Sequence, residues 1–312
     1  MVAKGFSQQE GIDYQETFSP VVKMDTVRTI LSIAASEHWH IHQMDVVKGR
    51  VSQLAASMYS LKQAPRQWNA KLSEALISFG FIQSQHDHSL HVQGTGSYIV
   101  VILFYVDDIL FTGPDLRLVE KTKATLQKTF KKKDLGELKY LLGIELAGSS
   151  QGILMHQRKY ALELVSELGL GAAKFATTPL DVNVKLTTHE YDEYTCTINN
   201  LDDALLPDVT SYQRLLGKLL YMTVTKPDIA FIVQTLSQFM QKHKKSHMEA
   251  TLRVIKYVKN HPGQGMVLSS QKRGVISAFY DTNYAACPLT RKSVSGFFIK
   301  YGNSLISWKS KK

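Results

Sequence analysis

The chain has 312 residues, 44% hydrophobic and 21% charged, which reads as globular and long enough for two or three compact domains with cores of their own. With 37 Lys and Arg against 27 Asp and Glu, the formal charge of +10 favours polyanionic partners. Cys196 and Cys287 stand outside any Cys-x-x-Cys spacing, which argues against a disulfide scaffold or structural zinc site and for a reducing compartment; the longest apolar run, residues 99–106, is far below the roughly 18 residues a membrane span needs, and with no charged-then-apolar leader at the start the sequence predicts a soluble protein.

Residues 5–20 are turn-rich, and Val27, Ile30, Leu31, Ile33 and Ala34 recur at three-and-four spacing, which predicts a helix from about Thr26, with Thr26 as its cap. His38, His40 and His42 alternate beside Trp39 and would share a strand face without a carboxylate or Cys to complete a metal site. Trp68, Leu72, Leu76 and Phe79 follow Pro65 at helical spacing, with Gly80 as the stop. His86, Asp87, His88 and His91 fit no zinc spacing and are expected in a solvated loop. Residues 99–105 and 109–112 are β-rich runs around Val106-Asp107-Asp108, which predicts a buried hairpin with an acidic tip.

An amphipathic helix is expected over 116–130, then a strand pair, 138–146 with 153–155, around Gly148 and Gly152. Residues 174–207 are polar and predict a long loop after a soft boundary near Gln157. Three helices follow, over 212–222, 229–240 and 248–258, the last closed by His261-Pro262-Gly263. Three strands end the chain, over 275–281, 293–301 and 305–309, with a turn at Gly302-Asn303. Lys131-Lys132-Lys133 and the Lys242, Lys244, Lys245 group read as solvated helix ends able to meet phosphates.

Adjacent carboxylates such as Asp107 and Asp108 raise one another's pKa unless a cation neutralises them. Magnesium, which takes oxygen ligands and keeps substrate phosphates in its shell, resolves that conflict. Two-metal phosphoryl transfer, with ions roughly 3.5–4 Å apart, needs a further carboxylate from another strand. Asp45, after an apolar-alternating segment, is the best candidate. The residues alone leave an ordinary solvated turn open, because Asp is common there; the doubly apolar run before it argues for burial.

Several blocks occur in a fixed order: Ala3-Lys4-Gly5-Phe6, Gly11-Ile12-Asp13-Tyr14, Glu16-Thr17-Phe18-Ser19-Pro20, Leu61-Lys62-Gln63-Ala64-Pro65-Arg66-Gln67-Trp68, Tyr105-Val106-Asp107-Asp108 and Asp134-Leu135-Gly136-Glu137-Leu138-Lys139-Tyr140-Leu141-Leu142-Gly143. Lys226-Pro227-Asp228-Ile229 and Phe279-Tyr280-Asp281-Thr282-Asn283 follow. Over nearly the whole chain these resemble the copia-type LTR retrotransposon reverse transcriptases, a Pol polyprotein fragment with the start of the RNase H domain. The resemblance implies an α+β fold: right-hand polymerase fingers and palm over 1–156, a helical thumb and connection over 157–263, and a partial RNase H-like mixed sheet over 264–312. It implies Asp45, Asp107 and Asp108 as catalytic metal ligands for two Mg²⁺ ions, with Mn²⁺ as a substitute. Lys4 and Arg28 would grip the triphosphate, Gln63, Arg66 and Tyr105 would line the nucleotide or template site, Leu142 and Gly143 would form the primer grip, and Asp281 would remain from the RNase H site. The partners would be an RNA template, a DNA primer, their hybrid and deoxynucleoside triphosphates, and the reaction attack of the primer 3′-hydroxyl on the α-phosphate. Localisation stays open; a cytoplasmic particle or the nucleus is expected from the resemblance.

The chain also departs from the family pattern. Only residues 46–57 separate Asp45 from Met58-Tyr59-Ser60-Leu61, where the family has several tens of residues, so whether Asp45 reaches the hairpin is open. Arg50 stands where the aromatic guard against ribonucleotides is expected, and Ser60 replaces a glycine. Asn283 occupies the second acidic position of the RNase H opening and the downstream acidic ligands are missing, so no hybrid-cutting activity is expected. With Met1 inside the first motif, the expectation is a truncated, degenerate copy. The rival reading is a catalytically inactive nucleic-acid-binding remnant of the same polyprotein; an unrelated metal-dependent phosphotransferase would explain the hairpin but not the other blocks.

Overall fold

The computed structural model describes residues 7–46, 61–105, 108–130, 132–181, 184–195, 203–272, 274–287 and 289–311. The fold is mixed α and β and divides into two compact units, residues 1–141 with 270–272, and residues 142–269 with 273–312.

In the first unit, α1 (Met24–Ser36) precedes β1 (His40–Val46), and α2 (Ala64–Ser78), with Pro65 in its first turn, precedes β2 (Ile82–Gln83), β3 (Leu90–Gln93), β4 (Val100–Tyr105) and β5 (Asp108–Gly113). Then come α3 (Leu116–Thr129), capped by the Asp115 carboxylate accepting from the Arg117 N–H at 2.8 Å, β6 (Lys132–Glu137) and the short β7 (Tyr140–Leu141). Strands β2-β3-β4-β5-β1-β6 form an antiparallel sheet in that order. β4 and β5 are its centre, which is why their sequences are apolar on both faces. Met44, Ile102, Phe104, Ile109 and Phe111 on one face pack with Leu72 and Leu76 of α2 and Val119 and Leu126 of α3.

Three sequence expectations are corrected here. Thr26 does not cap α1, whose N-cap is Lys23. The Thr26 hydroxyl instead donates to Asp87 at 2.7 Å, and the same carboxylate accepts from the N–H groups of Lys23 and Ser89, each at 3.1 Å. Asp87 and His91 are therefore buried and not in a solvated loop. Finally, Lys132 and Lys133 are no helix end; they lie in β6, opposite Val46 and Asp45 of β1.

In the second unit, β8 (Ile144–Ser149) and β9 (Gly152–His156) form a hairpin extended by the distant β10 (Met266–Ser269). The strand expected through 146 is interrupted at Leu142 and Gly143, both in left-handed conformation with φ of 55° and 76°. Helices α4 (Arg158–Glu167), α5 (His189–Tyr194), α6 (Val209–Met222), α7 (Ala230–Leu236) and α8 (Lys245–Asn260) follow, α5 lying inside the stretch expected to be loop. The helix expected over 229–240 is instead α7 between two short 3₁₀ turns. Leu216, Leu219, Val233, Leu236, Val254 and Ile255 are fully buried where α6, α7 and α8 meet, as their spacing requires. Strands β11 (Ile276–Asn283), β12 (Val294–Tyr301) and β13 (Ser304–Lys311) make a separate antiparallel sheet in sequence order.

Two of the buried histidines, His91 and His247, give the protein an acid-sensitive core. The His91 ring is fully buried against Phe104, 5.1 Å between centroids, and both its nitrogens lack a partner among the described residues. His247 accepts the Lys244 N–H at Nδ1, 3.0 Å, and donates from Nε2 to the Thr187 carbonyl, 3.0 Å, a pair of bonds that requires the neutral ring. Burial pushes both down to about 4. A folded-state pKa below the unfolded one means stability is complete above the ordinary histidine range near 6.5 and is lost as pH falls toward 4, by at most roughly 3 kcal/mol for each ring. Urea midpoints are expected to drop between about pH 7.5 and about pH 5, and His91→Leu to flatten that drop for the first unit.

Candidate active site

Tyr105 of β4 stands opposite Asp108 of β5; residues 106 and 107, Asp107 among them, lie outside the described residues, as do Lys4, Arg50 and Ser60. β1 runs antiparallel to β5 on its other side, with Gln43 opposite Leu110, Met44 opposite Ile109 and Asp45 opposite Asp108. Directly opposed residues share a face with Cβ atoms about 4.5–5.5 Å apart. Asp45 and Asp108 are therefore side by side at the end of the β1/β5 seam, both partly buried. The short link after Asp45 has not carried it away from the hairpin.

This face is the one turned away from α2 and α3, because Met44, whose side chain points the other way, packs with those helices. Gln43, 6% exposed, donates its Nε2–H to Asp108 Oδ1 at 2.8 Å. Across β1, Lys133 of β6 stands opposite Asp45. Two carboxylates facing each other from adjacent strands are mutually repulsive, and an all-oxygen donor pair suits a hard divalent cation. Among the described residues no group of three or more ligands occurs; Asp107 is adjacent in sequence to one of the pair.

The other residues singled out in the sequence are distributed as follows. Arg28 is buried in α1, 3.0 Å from Asp25, and burial pulls its guanidinium down to about 10 against the opposing pull of Asp25. Gln63 accepts from the Gln8 amide at 2.9 Å, while Arg66 pairs with Glu16 at 2.5 Å and donates to the Phe18 carbonyl at 3.2 Å. Both thus fasten residues 8–18 to the start of α2. Leu142 and Gly143 form a tight turn in the second unit, where the Tyr221 hydroxyl donates to the Leu142 carbonyl. A Cβ on Gly143 would stand 2.5 Å from that hydroxyl, and φ there is +76°. Gly143→Ala is expected to cost about 1–3 kcal/mol, read as a lower urea midpoint. Asp281 is exposed on β11 opposite Gly296, its carboxylate accepting the Thr282 N–H at 2.9 Å, and Asn283 stands opposite Val294.

Sequence reasoning missed Gln43 and the cation beneath the sheet. Lys123 of α3, 2% exposed, pairs with Asp134 of β6 at 2.6 Å and Glu120 at 3.0 Å, and approaches His42 Nδ1 of β1 at 3.1 Å. Burial pushes the Asp134 carboxyl up, but the Lys123 and Gly136 hydrogen bonds outweigh it and hold the group below the usual carboxylate range. On paper Glu120 and Lys123 are an ordinary helix-surface pair; only the packing of α3 reveals that they tie β1 and β6 together.

The family model for reverse transcriptase (RNA-dependent DNA polymerase) matches residues 1–49 and 47–182. Its two segments meet just after Asp45, where the sequence lacks the expected insert. The retrovirus-related Pol polyprotein from transposon RE1 of Arabidopsis thaliana is 35% identical over 100% of this chain and 22% of its own length. That from transposon TNT 1-94 of Nicotiana tabacum is 32% identical over 100% of the chain and 25% of its own length. The chain spans about a quarter of these polyproteins or less. Blocks in the right order, an acidic hairpin and these matches converge: the chain belongs to the reverse transcriptase family of the copia-type retrotransposon Pol polyproteins.

Proposed function

We propose that this chain is the RNA-directed DNA polymerase segment of a copia-type Pol polyprotein, its six-stranded sheet serving as the palm and the helices of the second unit as thumb and connection. The observation that carries the reading is the register that sets Asp45 opposite Asp108 at the end of the hairpin strands. Asp45, Asp107 and Asp108 would hold two Mg²⁺ ions, or Mn²⁺ in their place. Bound there, the metal supplies charge neutralisation at the α-phosphate and makes the primer 3′-hydroxyl a better nucleophile.

The chain's own part is placement. Apolar packing beneath β1 and β5 holds the acidic strands rigid, so charge is already in position when the primer and the deoxynucleoside triphosphate arrive. Tyr105, next to the turn, would bear on the nucleotide or template together with Gln63 and Arg66; Lys4 would act on the triphosphate, Arg28 being buried against Asp25, and the Leu142-Gly143 turn would steady the primer. The net charge of +10 favours the RNA template and the hybrid through phosphate contacts. The sheet of β11, β12 and β13 would be the opening of an RNase H-like region, and with Asn283 in place of a second carboxylate beside Asp281 it is expected not to cut the hybrid.

Primer extension on an RNA template with Mg²⁺ tests the reading, Asp107→Ala serving as the control. Extension by the native chain that vanishes in the variant supports polymerisation. The second reading, a degenerate copy that binds nucleic acid without catalysis, is favoured by the break in the family match at 47–49; template retention with equal, background extension by both proteins would select it.

A further inference from the structure

We propose that Gln43 is a positioning residue for Asp108, setting the direction of that carboxylate and thereby the affinity of the β1/β5 seam for a divalent cation. The inference rests on the polymerase reading and adds to it a residue outside the acidic triad.

Gln43 lies two residues before Asp45 on β1, so the period of two puts it on the same face, and its partner across the seam is Leu110. From there Asp108 is the diagonal neighbour, at a Cα separation of about 7–8 Å that a long side chain can span. The Gln43 amide does so, donating to Asp108 Oδ1 at 2.8 Å while only 6% exposed. A buried amide is tolerated only when hydrogen-bonded, so the geometry ties Gln43 to one orientation of Asp108 and Asp108 to one orientation of Gln43.

The chemical type of the donor matters as much as its place. A lysine or arginine at this position would cancel the carboxylate charge and compete with a metal. A neutral amide fixes the rotamer and leaves the negative charge for the cation, the part played by outer partners around metal-binding carboxylates, whose loss typically costs 10–100-fold in metal affinity. Hydrophobic packing alone gives no reason for an amide here, since Leu110 opposite and Ile41 two residues earlier are apolar.

The test measures Mn²⁺ binding by electron paramagnetic resonance and Mg²⁺ titration of primer extension, on the full chain. Gln43→Met keeps length and burial and deletes the donor. It is expected to weaken Mn²⁺ binding roughly 10-fold and to raise the Mg²⁺ concentration for half-maximal extension by a similar factor, with the KM for nucleotide at saturating Mg²⁺ unchanged. Thr112→Val, at a fully buried position of β5 away from Asp108, controls for disturbance of the strand and is expected to move neither value. In an Asp108→Asn background the acceptor charge is gone, and Gln43→Met is expected to add no further loss. Should Gln43→Met fail to fold, Gln43→Asn, whose amide is one methylene short of Asp108, makes the same comparison. Native-like Mn²⁺ binding by the Gln43 variant, or equal losses in it and in Thr112→Val, overturns the positioning role alone. A native chain that binds no Mn²⁺ sinks the metal-site reading as well, so the two failures are told apart.

Discussion

Asp45→Asn is expected to lower Mg²⁺-dependent primer extension roughly 1,000-fold, since a metal-held charge is worth several kcal/mol in the transition state and each 1.36 kcal/mol is a factor of ten. Asparagine keeps the shape of the side chain and the backbone pairing of β1 with β5, so nothing in the sheet requires the loss. Stability should change little. Like charges directly opposite each other on neighbouring strands are destabilising and opposite charges stabilising, each such pair by up to about 1 kcal/mol, and Asp45 faces Asp108 on one side and Lys133 on the other. A variant that melts close to the native temperature while extending no primer would show that the carboxylate is kept for chemistry. Template affinity, governed by phosphate contacts made elsewhere, should be little changed in a filter-binding assay. Native rates of extension in Asp45→Asn would refute the assignment of a catalytic cation to this seam.

That experiment bears directly on the short link after Asp45. From the sequence, a segment missing between β1 and α2 takes sheet pairing with it and leaves open whether Asp45 reaches the hairpin. Yet β1 is anchored by residues before the link: Met44 in the apolar cluster, His42 beside Lys123, and pairing with β5 along residues 40–45 and with β6 along residues 42–46. Strand position is set by these contacts more than by the length of the connection that follows, because closing a longer or shorter loop changes the free energy only slowly with length.

Local pattern made much of this legible. The 99–105 and 109–112 runs became β4 and β5, the 116–130 periodicity became α3, and Gly302-Asn303 turns β12 into β13. What periodicity carries no record of is which distant segment lies alongside. β6 was hidden because an edge strand beginning Lys132-Lys133-Asp134 has the composition of a solvated helix end. The break at Leu142 was hidden because only Gly143 advertises a left-handed turn, and a leucine with φ of 55° does not. Asp87 looked like part of a histidine-rich loop, and its role at the start of α1 depends on a partner more than sixty residues away. The acidic tip could be read as chemistry from its residue types, whereas Gln43 becomes part of it only through the register of two strands, its partner Asp108 lying 65 residues away in the chain.

The same blindness to distant partners makes Lys244 the residue with the largest expected effect on stability, and it corrects the sequence reading of a solvated helix end. Its ammonium, 3% exposed at the start of α8, pairs with Asp192 of α5 and, at 2.8 Å, with Asp203. Burial pulls the Lys244 pKa down, but the bonds it donates to Asp192 and Asp203 outweigh it and leave the group above its ordinary value. Burial likewise pushes the Asp203 carboxyl up, and the bonds from Lys244 and Ser246 bring it below the usual carboxylate range. Lys244→Met leaves two partly buried carboxylates without their common cation, so the second unit is expected to lose about 3–5 kcal/mol in urea denaturation. The pH dependence carries the signature. In the native chain the Asp203 contribution is complete above the unfolded carboxylate pKa near 3.8 and is lost as pH falls through the lowered value; the Lys244 contribution is complete below 10.5 and is lost as pH rises through the raised one. Without Lys244 the carboxylates repel and take up protons more readily when folded, so the gap between variant and native protein should narrow as pH falls toward the carboxylate range. Asp203→Asn in the Lys244→Met background should recover part of the loss at neutral pH by removing one of the stranded charges. A cost no greater than the roughly 1 kcal/mol of a surface pair, or a gap that widens on acidification, would mean that water and not the Asp192-Lys244-Asp203 triad satisfies this end of α8.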